Sequence, residues 1–551
     1  MPVVNITKNL LCKFFPGKNV KELIDFLPYI GLDIEGIDGE VIRVEYNPNR
    51  ADFASGYGII RALKGILAVE SGIPKFQLLK DSNYTITVDS SIKYVRPIIV
   101  SLVAKKNNVL DNEEIKQLIS IQEDLHNGIG RRRRKGSIGI HNLDSIKFPI
   151  TYKTVSDDFS FVPLDASSAI TIKQILKEFE VGIRYRDILY KSNRYPIIVD
   201  SDNNVLSFPP IINGNVTKVT PATKNLFVEV TANDQKTADD ILAILAITFH
   251  DIGFKIYDVS INNSGIIQFT PNMDTHSIEV NASYINGILG LELSENEIVN
   301  YLKKSRLDAY EMKTDVITCV IPRYRTDILN VIDIVEEVAI GYGIYNLQPT
   351  ISPWTSSGQK NVISNYFEII RRTLAGLRML EVVNSSLVDK KSHYELMGLE
   401  KPDNVLSVDA PKSKDYEILR ASIIPSLLHS LSHNVHWQYP QNLFEIGKIF
   451  HRDKIVKESW CLAAVIAENN ASFTEIKSVM QTFLKVAFDK EVFTQENANP
   501  FFIEGRSARI VLNKKYVIGI IGEITPLAID NFKIRVPVSA FELNLSELLR
   551  I

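Results

Sequence analysis

The chain has 551 residues, too many for one hydrophobic core, so its length predicts three or four domains. Apolar residues at 45% and charged residues at 23% fit a folded globular protein, and a net charge of −3 excludes a chain coated along its length by nucleic acid. The longest apolar stretch, 241–249, is far below the roughly 20 residues that cross a bilayer, so no membrane span is expected.

At the N-terminus, charged residues interrupt the apolar stretch and no small-residue cleavage pattern follows, so no signal peptide is expected. Cys12, Cys319 and Cys461 lie far apart without metal-ligand spacing, which fits a reducing, cytoplasmic setting. Residues 22–68 then read as a helix, a short strand, an N/R-x-x-R-x-D turn and a second helix. The same order recurs at 297–343, laid on the first copy with a constant offset of 275 and no gap. Leu27 falls on Leu302, Arg50 on Arg325, Asp52 on Asp327 and Ile59 on Ile334. The chain is expected to use one α+β module twice, with the Asp of each Arg-x-Asp turn capping the second helix.

Between the copies, residues 91–265 alternate helix-like segments (113–130 and 237–254) with apolar strand-like runs (96–104, 136–143 and 225–231). Arg131, Arg132, Arg133, Arg134 and Lys135 form a basic run. Two readings stay open for it, a solvated loop or a contact with phosphates or an acidic partner. Residues 204–235 gather Pro, Asn, Thr and Ser between apolar strands, as a binding loop or a long surface connection would. The phosphate-loop, dinucleotide, nucleophile-elbow and zinc-protease motifs are absent, and His433 and His436 are expected to be surface or packing residues.

The second copy carries four carboxylates, Asp327, Asp333, Glu336 and Glu337, where the first has Asp52, Gly58, Arg61 and Ala62. The i, i+3, i+4 spacing predicts that Asp333, Glu336 and Glu337 share one helix side, with Val331, Val335, Val338, Ala339 and Tyr342 opposite. Since the first copy lacks these acids, they are expected to lie outside the module's folding logic. A solvated face remains one reading; a cation or partner site is the other, with Mg²⁺ the natural hard cation for oxygen ligands. After a turn-rich linker (348–360), residues 360–551 predict an antiparallel sheet with flanking helices.

Six segments in order, EYNPNRADF, PPIINGNVTKVT, PRYRTDILNVIDIVEEVAIGYG, LRASIIPSLLHSL, NLFEIGKIF and IGEITP, resemble the phenylalanyl-tRNA synthetase β-subunit family in its archaeal or eukaryotic-cytosolic form. The resemblance implies an α+β multidomain fold. An N-terminal domain (1–90) holds the first module, and a central α/β editing-type, tRNA-binding domain (91–265) follows. The second module with its acidic Mg site (266–350) precedes a catalytically inactive class II synthetase-like domain (360–551). The chain is expected to begin directly with the first module and to lack the anticodon-binding C-terminal domain of bacterial β subunits. FEIG at 444–447 stands where an arginine-bearing motif of an active class II core would be expected.

The family further implies a cytoplasmic phenylalanine–tRNA ligase in which this chain pairs with a catalytic α subunit as an (αβ)₂ heterotetramer. ATP and phenylalanine would bind α, and tRNA for phenylalanine would be shared. Mg²⁺ would sit at Asp327, Asp333, Glu336 and Glu337, and Arg131 to Lys135 would contact tRNA. The central domain would hydrolyse tyrosine misjoined to tRNA, with Ser207, Asn213, Thr217 and Asp234 as the editing candidates. A pocket built for phenylalanine rejects an added hydroxyl only weakly, by roughly 10²-fold, so a second sieve that binds the hydroxyl adds discrimination. The alternatives are a stand-alone tRNA-binding or editing factor and an inactive structural scaffold.

Overall fold

The computed structural model describes residues 2–189, 193–351 and 357–549, in two compact units, Met1–Ile351 and Ser352–Ile551. The expected linker at 348–360 falls partly, at 352–356, outside the described residues.

The first unit opens with an antiparallel three-stranded sheet in which Val3–Thr7 and Leu32–Asp38 flank Val41–Tyr46. Alternation builds the central strand: Ile42, Val44 and Tyr46 are buried while Arg43 reaches solvent. The helix Gly56–Ile66 follows, its start capped by Ser55, whose Oγ accepts from Gly58 N at 3.2 Å. A second three-stranded sheet has the same order, His276–Asn281 and Asp308–Lys313 flanking Val316–Ile321, and the helix Val331–Tyr342 follows it.

Each segment has two strands between its helices where one was expected. The hairpins turn at Gly39 (φ +56) and Asp315 (φ +65). The missed strands, Leu32–Asp38 and Asp308–Lys313, lie at sheet edges and bury few residues, so they lack the apolar alternation that marks a strand in sequence. The expected capping by Asp52 and Asp327 is also corrected. Each carboxylate instead pairs with the arginine two residues before it, and Ser55 and Asp333 serve the helix starts.

Two further sheets fill the middle of this unit. One has five strands, among them Ile98–Lys105 and Asn225–Ala232 paired antiparallel inside it and Gly136–Asn142 antiparallel to Asn225–Ala232 at one edge. The helix Gln235–Ile252, apolar on nearly every side, packs on it and against Gly56–Ile66, and these elements share one core. The other sheet has seven strands in the order Ile212–Asn213, Val205–Phe208, Tyr195–Val199, Ile150–Val155, Thr85–Val88, Val259–Asn263 and Ile266–Thr270. Thr85–Val88 and Ile266–Thr270, outside the 91–265 block, are therefore strands of the central sheet.

The second unit is built on a seven-stranded sheet running from Leu380–Glu381 through Gln441–Arg452, Val456–Ala467, Val538–Asn544, Tyr516–Ile524 and Phe502–Leu512 to Val492–Glu496. It is antiparallel except at its first pair, where Leu380–Glu381 runs parallel to its neighbour. Two apolar clusters cover it, one with the helices Val362–Gly376 and Phe473–Phe488, the other with Ile424–His433. Among the described residues no helix is long and apolar enough to cross a membrane.

Candidate functional site

A cavity of about 310 Å³ opens where Val205–Phe208 and the loop after it meet the five-stranded sheet. Ser207 and Asn213 line it; Thr217 and Asp234 do not. The sequence reading missed Glu229, which also lines it. Glu229 is 1% exposed, its Oε2 has no hydrogen-bond partner, and Oε1 lies 3.9 Å from His141 Nε2, itself unpartnered. Close backbone approach makes this geometry: a Cβ on Gly139 would stand 2.3 Å from Glu229 Oε1 and 2.6 Å from His141 Nε2. A signal for Glu229 existed, since one carboxylate interrupts the strand NLFVEVTA, every residue of which after Asn225 is buried.

Thr217 and Asp234 serve the scaffold. Thr217 Oγ1 is 2.8 Å from His141 Nδ1, so it holds the imidazole beside Glu229. Asp234 caps Gln235–Ile252, accepting from Thr237 N and Thr237 Oγ1 at 2.8 and 2.9 Å. The basic run divides as well. Arg131, Arg132, Arg134 and Lys135 are exposed. Arg133 turns inward, donating to Pro210 O, Ile211 O and Glu123 and lying over the Tyr185 ring at 4.6 Å. Hydrogen bonding from His126, then the Arg133 charge, outweighs burial and holds the Glu123 carboxyl down at about 2. Arg133 thus fastens the loop that walls the cavity.

The acidic helix departs from its expected geometry. Glu336 and Glu337 are about 100° apart around the helix axis, and Glu337 turns inward beside Val338 with 4% exposure while Glu336 faces solvent. Arg325, 2% exposed, pairs through two nitrogens with Asp327 at 2.9 and 2.7 Å and also with Glu337. Arg50 in the first copy pairs likewise with Asp52 at 2.9 and 3.0 Å, and it reaches Asp327 at 3.9 Å and Glu337 at 4.0 Å. The two Arg-x-Asp turns therefore face each other in one buried ionic cluster. Burial alone would raise the Asp52 carboxyl, but Arg50, Arg325 and Arg61 together hold it down at about 2. Glu337 belongs to the folded interior, which corrects the expectation that these acids lie outside the folding logic.

For a magnesium ion, Asp327 and Glu337 are already neutralised by guanidinium groups, and the described residues hold no cluster of three or more His, Cys, Asp or Glu placed as a cage. The outer pair differs. Asp333 Oδ2 accepts from Leu329 N and Asn330 N at 2.8 and 2.7 Å, which leaves Oδ1 outside those bonds. Glu336 makes no ion pair among the described residues; burial, then Glu337, Asp327 and Asp333, raise its carboxyl pKa. One or two carboxylates completed by water and phosphate is a normal Mg²⁺ site. Asp333 and Glu336 fit that donor set.

Three family models match this chain: "B3/4 domain" over residues 82–242, "tRNA synthetase B5 domain" over 278–344 and "Phenylalanyl tRNA synthetase beta chain CLM domain" over 349–545. These place the chain in the tRNA-synthetase class. A phenylalanine–tRNA ligase β subunit of Archaeoglobus fulgidus is 38% identical over 99% of this chain and 98% of its own length. The same subunit of Methanococcoides burtonii is 37% identical over 95% and 96%. A crystal structure of an N-terminal fragment of the phenylalanyl-tRNA synthetase β subunit from Pyrococcus horikoshii, 32% identical, covers 62% of this chain and 99% of its own with a TM-score of 0.59. The chain belongs to the family of phenylalanine–tRNA ligase β subunits.

Proposed function

We propose that this chain is the non-aminoacylating partner of a catalytic α subunit in a cytoplasmic (αβ)₂ phenylalanine–tRNA ligase, and that its central domain hydrolyses tyrosyl-tRNA. One small module occurs twice, before and after the central domain. The four domains keep the limits 1–90, 91–265, 266–350 and 360–551, except that the strands Thr85–Val88 and Ile266–Thr270 go to the central one. ATP and phenylalanine bind the α subunit, and Arg131, Arg132, Arg134 and Lys135 contact tRNA phosphates.

The observation that carries the editing reading is the unpartnered oxygen of buried Glu229 in the cavity. A tyrosine hydroxyl donates to that oxygen; a phenylalanine ring would cover it and leave a buried charge unpaired, which disfavours the correct amino acid. Ser207 and Asn213 orient the ester and a water molecule at the same cavity. His141, held by Thr217, fixes the Glu229 side of the pocket. Asp333 and Glu336 would hold Mg²⁺ at the α contact, with Asp327 and Glu337 neutralised behind them; the ion would supply a positive charge there.

The test measures release of tyrosine from tyrosyl-tRNA by the α–β complex. Glu229→Gln should lower hydrolysis of tyrosyl-tRNA at least tenfold while phenylalanine charging persists, and Asp234→Asn, a cap change, should leave turnover per folded molecule intact. In the same preparations, neutralising Arg132 and Arg134 should make the salt dependence of tRNA binding shallower, by roughly 0.7–0.9 per lost contact in the log–log slope. Full tyrosine release by Glu229→Gln would overturn the editing assignment, and an unchanged slope the tRNA contact.

A further inference from the structure

Beside the helix Gly56–Ile66 lies a cavity of about 500 Å³ in which Arg61, Lys64, Lys75 and Arg306 outnumber the carboxylates Glu70 and Asp251. None of Ser207, Glu229, Asp333 or Glu336 lines it.

Arg306 is 5% exposed and its Nε has no hydrogen-bond partner. A buried donor without an acceptor is costly, and a native one calls for an explanation. The backbone adds a second oddity. Arg306 has φ +64, and the residue 275 positions earlier, in the first copy, is Gly31 at φ +82. Glycine takes that left-handed conformation freely and arginine does not. The second copy thus sets a guanidinium where the backbone favours glycine, and the guanidinium ends in the cavity.

Glu70 shows what this corner holds. Arg306 Nη2 donates to its Oε2 at 2.9 Å and Lys64 Nζ to its Oε1 at 2.8 Å, so a tethered oxyanion sits at the rim. Arg61 is held by Asp251, whereas Lys75 is exposed without an ion pair among the described residues. Phe14 and Tyr57, edge to face with ring centroids 5.8 Å apart, supply an apolar wall.

We propose that this cavity binds a small phosphate monoester carrying a ring-sized apolar group. The phosphate takes the unpartnered Nε of Arg306 and the Lys75 ammonium, competing with Glu70 for Nη2, and the ring lies against Phe14 and Tyr57. A dianion matches the surplus of two cations better than a carboxylate does, and a guanidinium edge presents the planar donors that phosphate oxygens accept.

Calorimetric titration of the full chain uses phenyl phosphate, inorganic phosphate and phenol as probes. Phenyl phosphate should bind saturably and more tightly than inorganic phosphate, and phenol should not bind. Lys75→Gln and Arg306→Gln should weaken phenyl phosphate by about tenfold, the scale of one lost charge-assisted contact, and Glu70→Gln should tighten it by about threefold or more. Should Arg306→Gln fail to fold, the changes at exposed Lys75 and half-exposed Glu70 decide alone, because opposite shifts follow only from an anion in this corner. Absence of saturable phenyl phosphate binding, or equal affinity in Lys75→Gln and Glu70→Gln, would overturn the proposal.

Discussion

Replacing Arg325 by methionine tests the buried cluster between the two Arg-x-Asp turns. The side chain is 2% exposed and neutralises two carboxylates at once, Asp327 through paired contacts of 2.9 and 2.7 Å and the 4%-exposed Glu337 directly. Breaking a buried pair by removing one partner costs about 3–5 kcal/mol, because a charge is left in the interior. Arg50, at 3.9 and 4.0 Å from those carboxylates, offsets part of this, so the lower end of that range, about 3 kcal/mol, is expected. Trp354, Trp437 and Trp460 all lie beyond residue 351, so this unit has no tryptophan of its own. Amide hydrogen exchange in Val316–Ile321 and Val331–Tyr342 is the suitable assay. About 3 kcal/mol corresponds to exchange faster by about 160-fold. The double change Arg325→Met with Glu337→Met removes the Arg325–Glu337 pair and leaves Asp327 to Arg50, 3.9 Å away; an apolar pair of similar volume is often as stable as the ion pair it replaces. It should recover at least half of the loss. Unchanged exchange in the single variant, or a double variant whose losses add, would refute this account of the cluster.

Two other outcomes follow from the same physical reasoning. In the second unit, burial first and then the Arg420 charge push the His393 imidazole down to about 4, while its Nε2 accepts from Ala421 N at 3.1 Å. The unfolded chain takes up this proton near 6.5 and the folded chain only near 4, so His393 favours folding fully above pH 6.5 and progressively less as pH falls to 4. The loss should approach about 3 kcal/mol, read from urea midpoints by tryptophan fluorescence, and His393→Gln should flatten that slope; an equal slope would contradict it. At the acidic helix, Glu336→Gln should weaken magnesium binding by the α–β complex in calorimetry without loss of folding, whereas Glu337→Gln should act first on stability. Equal magnesium affinity in Glu336→Gln would remove the ion from this site.

What could be read in the sequence was what repeats or has a period. The duplicated Arg and Asp stood out at a constant offset, and the long helices Asn112–Asn127 and Gln235–Ile252 formed within a few residues of their expected bounds. What could not be read was compensation between distant residues. Each Arg-x-Asp turn looks like a self-contained helix start, and nothing in its spacing says that the two turns fold against each other. Nor does the spacing say that Arg325 also reaches Glu337, the pairing that turns Glu337 from an apparent ligand into a neutralised interior group. The same logic divides the basic run, where Arg133 is spent on Glu123 and two carbonyls while its neighbours face water. It also separates the editing candidates, since Asp234 is spent on a helix cap and Glu229 keeps an oxygen unpartnered. In this chain a charged residue is a candidate for function to the extent that the fold leaves its charge unanswered. Glu229, Glu336 and, among the described residues, Lys75 meet that condition; Asp327, Glu337 and Arg133 do not.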